Sequence, residues 1–108
     1  MLYELRVYTA APGKLAALSA RFEQHTLHFF AKHGIQVVGF WTTVVGPSIN
    51  DLTYMLAFAD MADREKKWTA FQTDPEWLAV KRETEKDGSL WTDIRNQFLA
   101  PTGYSPLK

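Results

Sequence analysis

Three residues near the start of the chain, Glu4, Arg6 and Tyr8, recur at a spacing of two. In an extended strand that spacing puts their side chains on one face. A guanidinium can hold a carboxylate or enolate oxygen, a carboxylate can move a proton, and a phenol can donate a hydrogen bond. The three residues are therefore a candidate polar lining. The same residues have a purely structural use, an ion pair between Glu4 and Arg6 within the chain or across a two-fold axis, which closes a space without taking a ligand.

Trp41, Thr43 and Tyr54 come from two later apolar stretches and could line the same space. Aromatic walls with a hydroxyl suit a planar apolar ligand that carries one polar end. Ordinary core or interface packing would use the same residue types, and alternation leaves open whether Phe40 or Trp41 points inward. His25, His28 and His33 are the only histidines. The first two are three apart on a helical stretch, a spacing that serves a metal only when a third ligand arrives from elsewhere. No His-Glu-x-x-His pattern accompanies them, so no metal site is expected. His25 borders the apolar stripe of its helix and joins the candidate lining, while His33 suits a helix C-terminus.

Other chemistries are excluded by what the chain lacks. Its 6 glycines are scattered, with no phosphate-binding loop or dinucleotide fingerprint, and no Gly-x-Ser-x-Gly elbow is present. The absence of cysteine removes thiol nucleophiles, thiolate metal sites and disulfides together. No cofactor is expected. Twelve basic and 12 acidic residues cancel, which argues against nucleic acid and anionic membrane as partners. No apolar run approaches the ~18 residues of a membrane span. Glu4 stands where a signal peptide would carry positive charge, so the expectation is an unprocessed cytoplasmic protein.

The elements that must position these residues can be read from period and punctuation. Residues 2–9 alternate strictly and predict a strand. After Pro12-Gly13 a helical stripe runs through Leu15, Leu18, Phe22, His25 or Thr26, and Phe29, ending at His33-Gly34. Residues 35–45 are β-branched and aromatic and predict a long strand, stopped by Gly46-Pro47. Residues 52–59 predict a third strand, apolar on both faces and so covered on both. Asp60 and Asp74 are N-caps of two helical pieces, the second running from Pro75 to about Lys86. Residues 92–99 predict the last strand. The order β-α-β-β-α-β in 108 residues is a single α+β domain of ferredoxin-like type, spanning residues 1–108. Its antiparallel four-stranded sheet has the first and third strands in the middle and the helices on one face. The bare face predicts a partner, most simply a second copy packed sheet to sheet.

Five motifs resemble the NIPSNAP family: Tyr3-Glu4-Leu5-Arg6-Val7-Tyr8-Thr9; Pro12-Gly13-Lys14-Leu15; Gly39-Phe40-Trp41-Thr42-Thr43 with Gly46-Pro47; Asp74-Pro75-Glu76-Trp77; and Leu99-Ala100-Pro101-Thr102 with Tyr104-Ser105-Pro106-Leu107. Together they cover nearly the whole chain in order. The resemblance implies a dimeric α+β barrel, in which two ferredoxin-like sheets close across a homodimer and a cavity lies between sheet and helices or inside the barrel. On that picture Glu4, Arg6 and Tyr8 would line the space enclosed by the dimer. The family supplies no catalytic motif to carry over. Haem-degrading members of the wider superfamily use an Asn on the first strand, a Trp on the third and a His on the second helix, and this chain has none of these in those places.

Two functional readings stand on this basis. One is a homodimeric small-ligand-binding or scaffold protein, with a small planar organic acid as a possible ligand. The other is a cofactor-independent enzyme, a monooxygenase, isomerase or dehydratase, acting on a small aromatic or polyketide-like acid in the barrel cavity.

Overall fold

A computed structural model describes all 108 residues. Its elements are β1 (Leu2–Ala10), α1 (Leu15–Arg21), a π-helical turn (Phe22–Thr26), α2 (Leu27–Lys32), β2 (Gln36–Thr42), β3 (Asp51–Phe58), α3 (Met61–Gln72), α4 (Pro75–Thr84) and β4 (Trp91–Leu99). The strands form one antiparallel sheet in the order β2-β3-β1-β4, the ferredoxin-like arrangement with β1 and β3 central. No helix is long and apolar enough to cross a membrane.

Local chemistry accounts for the element ends. Asp60 caps α3 by accepting from the Asp63 N–H at 2.8 Å, and Asp74 caps α4 by accepting from the Glu76 N–H at 2.9 Å. Pro75 follows at the first helical position, where no N–H is needed. The C-terminus of α2 closes on Gly34 at φ 71°, with Gly34 N–H bonded to Ala31 O and Ile35 N–H to Phe30 O. β2 is shorter than the sequence suggests. It stops at Thr42, so Thr43 falls in the connecting loop, where Val44 and Val45 stand in solvent.

Register sorts the two faces of the sheet. Arg6 lies opposite Tyr54 and Asn96, Glu4 opposite Leu56 and Phe98, and Tyr8 opposite Leu52 and Ile94. This set faces the helices, where Leu18, Phe22, Phe30 and Phe71 pack on Tyr8, Leu52, Tyr54 and Leu56 to form the core. Tyr3, Leu5 and Val7 share the helix-free face with Thr53, Met55 and Ala57; Tyr3 and Ala57 are buried there and the other four are half-buried.

The polar row of β1 therefore faces the chain's own helix layer. The expectation that it lines a space between two copies is corrected by this register. Alternation says that two faces differ and does not say which one is covered. A charged row is tolerated under the helices because Glu4 is compensated by two guanidiniums and a carboxamide.

Candidate functional site

Arg6 is the hub of the covered face, with only 7% of its surface exposed. Its Nη1 donates to Glu4 Oε2 at 2.8 Å, its Nε to the Tyr54 hydroxyl at 2.8 Å, and its Nη2 to the Tyr8 hydroxyl at 3.4 Å. The guanidinium carbon lies 4.5 Å from the centroid of the Trp68 ring. Burial works against the Arg6 charge, but Tyr54, Tyr8 and Glu4 raise its pKa further above the ordinary value. Burial also pushes the Tyr54 phenol well above its usual range, so it keeps its proton.

Glu4 is fully buried. Beside the Arg6 contact it accepts from Arg64 Nε and Nη2, each at 3.0 Å, and from Asn96 Nδ2 at 3.0 Å. Burial alone would raise its pKa, but the hydrogen bonds from Arg64 and Asn96 and the Arg6 charge outweigh it and hold the carboxyl below its ordinary value. A carboxylate held ionised by two guanidiniums is an anchor and a poor general base.

Between this hub and the helices lies a cavity of about 220 Å³. Arg6, Tyr8 and Tyr54 form its floor, with Trp91 and Ile94 of β4 at one side. Arg21, Phe22, Thr26 and Phe30 form one wall, and Trp68, Phe71, Gln72, Trp77 and Lys81 the other. No Asp, Glu or His is among the lining residues.

The π-helical turn decides which residues of the first helical body reach this wall. Leu27 N–H bonds to Phe22 O, and the Thr26 hydroxyl approaches Arg21 O at 3.4 Å. The extra residue in the turn brings Arg21, Phe22 and Thr26 inward together. Arg21 is 4% exposed. Its Nη1 contacts Thr84 Oγ1 at 3.4 Å and Glu85 Oε2 at 3.3 Å, and its guanidinium lies 5.6 Å from the Trp77 ring centroid. Its Nε–H has no acceptor, and neither has the indole N–H of Trp77. A buried donor without an acceptor costs about 1–3 kcal/mol.

Of the residues singled out in the sequence, Arg6, Tyr8 and Tyr54 meet at the cavity floor and Glu4 sits beneath it. Trp41, Thr43 and His25 are placed elsewhere. Trp41 lies opposite Thr53 on the bare face and is 51% exposed, whereas Phe40 lies opposite Tyr54 and stacks on it at 4.9 Å. Thr43 is in the loop after β2. His25 is half-buried on the side of its helix toward α4, beside shallow depressions shared with Ala79, Glu83 and Thr84. His33 Nε2 meets Asp74 Oδ2 at 2.7 Å at the α2–α4 junction, far in kind from a metal site. Arg21, Trp77 and Lys81 were not read from the sequence, and their signal is weak because each sits on a helix whose polar residues usually face water.

The NIPSNAP family model matches residues 3–106. The chain belongs to the NIPSNAP family. The crystal structure of Atu4242 from Agrobacterium tumefaciens, a NIPSNAP family protein with unknown function, is 28% identical and covers 100% of both chains with a TM-score of 0.87. A second NIPSNAP family protein of that organism, Atu5224, is 23% identical over 99% of this chain and 98% of its own, with a TM-score of 0.88. Beyond the family, a candidate antibiotic biosynthesis monooxygenase from Nitrosomonas europaea shares the fold at 11% identity, covering 94% of this chain and 98% of its own with a TM-score of 0.64. None of the curated proteins matches this NIPSNAP chain.

Proposed function

We propose that this NIPSNAP protein binds a small planar organic acid in the cavity between its sheet and its helices. The observation that carries the reading is the pair of buried donors without acceptors, Arg21 Nε–H and Trp77 Nε1–H, on residues from the two walls whose guanidinium and indole lie 5.6 Å apart. A carboxylate satisfies both, and a neutral hydrocarbon satisfies neither. Charge points the same way. Arg6 is balanced by Glu4, while Lys81 takes part in none of the chain's ion pairs and the wall holds no carboxylate. Size sets the scale, since a dry cavity of about 150 Å³ takes benzene; the cavity here takes one ring with its substituents.

Binding fits these walls better than turnover. The titratable groups on the lining are two phenols, two guanidiniums and one ammonium. Glu4, the one carboxylate near the floor, is locked between Arg6, Arg64 and Asn96. Thermal-shift assays against aromatic carboxylic acids test the reading. An acid at ~100 times its dissociation constant adds ~2.7 kcal/mol of stability, and the matched primary alcohols should add none. Equal shifts from acids and alcohols would sink it.

The bare sheet face supports a second element of the reading, that two copies pair through it. Leu5, Val7 and Met55 are only half-covered there, and Leu99 is exposed beside them. An apolar sheet face of this kind calls for a partner, and a second copy is self-complementary to it.

A further inference from the structure

We infer that the acid is two-ended, an aromatic carboxylate with an oxygen acceptor at the end away from its carboxylate, and that Arg6 serves to aim the donor which reads that oxygen. This rests on the binding reading above and goes beyond it.

A phenol has one O–H to give and two lone pairs to fill, whereas a guanidinium only donates. Arg6 occupies a lone pair on Tyr54 at 2.8 Å and one on Tyr8 at 3.4 Å. It can accept nothing in return, so both phenol protons must go elsewhere. Their rings lie 5.7 Å apart, centroid to centroid, and at most one hydroxyl can donate to the other. That arrangement still leaves one O–H over, at the floor of the cavity both residues line. Each side-chain nitrogen of Arg6 meanwhile donates once, three of its five N–H groups, and Glu4 balances its charge, so a ligand carboxylate gains less there. Arg6 is thus a positioning residue, and the carboxylate goes to Arg21, Trp77 and Lys81.

The two polar ends are separate. No hydrogen bond joins Arg21 or Trp77 to the Arg6–Tyr8–Tyr54 group, and aromatic contacts step from one to the other. Tyr54 lies 6.2 Å from Phe30, Phe30 5.1 Å from Phe71, and Phe71 4.9 Å from Trp77, centroid to centroid. An occupant that satisfies both ends is a carboxylate, a flat apolar body and an ether, carbonyl or hydroxyl oxygen. Alkoxy-, oxo- and hydroxy-aromatic acids form that class.

Isothermal titration of the full chain with 3- and 4-methoxybenzoate against 3- and 4-ethylbenzoate tests it, because each pair matches in shape and differs in the acceptor oxygen. In the wild-type protein at least one methoxy acid should bind roughly tenfold more tightly than its ethyl partner. Tyr8→Phe/Tyr54→Phe should erase that preference and leave the ethyl acids unchanged. Arg21→Met should weaken both members of a pair by the same factor and keep the preference. Equal binding of methoxy and ethyl acids to the wild type overturns the two-ended ligand while leaving acid binding standing. A preference that survives in the double Tyr variant overturns the role of the phenols. If neither methoxy nor ethyl acids bind, both readings fall.

Discussion

At the scale of single residues, the structure turns on Glu4. One buried carboxylate neutralises Arg6, ties down Arg64 and accepts from Asn96, joining β1 to α3 and β4. Glu4→Gln should therefore destabilise the fold by about 3–5 kcal/mol, read as a lower urea midpoint, because it leaves the buried Arg6 guanidinium without its counter-charge, Arg64 keeping Glu65. The pH dependence follows from the same group. Its folded pKa lies below the ordinary 4.5, so between the two values the unfolded chain binds the extra proton and stability rises with pH. Asp63 and Asp74 are lowered as well, Asp63 chiefly by the Ala59 N–H and Lys67, Asp74 by Lys32 and His33. The urea midpoint should fall as the pH drops below about 5, with a shallower fall in Glu4→Gln. Arg6, Tyr8 and Tyr54 could be found in the sequence because strand alternation is local. Arg21 and Trp77 could not, because their importance lies in a missing acceptor, and unmet hydrogen bonds exist only in three dimensions.

The π-helical turn is the decisive element. Leu18, Phe22, Thr26 and Phe30 are all buried at a constant step of four, which in an unbroken α-helix would drift by about 40° per step and carry the last residue off the core face. The wider turn absorbs the drift. Deleting Gln24, which is exposed, changes the step to 4-3-4, which suits an unbroken α-helix, so the fold and its far-UV circular dichroism should be kept while acid binding weakens because the Arg21–Phe22–Thr26 turn of the wall is rebuilt. The step of four was visible in the sequence, but a stripe read with a period of 3.6 passes over it. A second junction is legible from sequence only in part. Asp74 was recognisable as a cap, while its grip on Lys32 and His33 of the first helical body, each at 2.7 Å, depends on how the helices meet. Thermal midpoints should rank wild type above Asp74→Asn, which keeps a capping oxygen and loses the charge, and Asp74→Asn above Asp74→Ala.

For the molecule as a whole, strand order and helix placement followed from the element sequence, since few topologies suit β-α-β-β-α-β. The assignment of faces did not follow, because a polar row beneath helices and a polar row beneath a partner leave the same pattern in the chain. If the bare face pairs two copies, sedimentation at micromolar concentration should give a dimer, and Leu5→Lys with Met55→Lys should give a folded monomer; a wild-type monomer would refute pairing. The distribution of tryptophan has a practical consequence. Three of the four indoles, Trp68, Trp77 and Trp91, border the cavity, and the fourth, Trp41, stands half in solvent on the opposite side of the sheet. The cavity is thus surrounded by the chain's own ultraviolet emitters, while the remaining emitter sits across the sheet and can be removed as Trp41→Phe. Without Trp41 the fluorescence reports on the cavity walls, and its intensity and wavelength become an unlabelled gauge of occupancy.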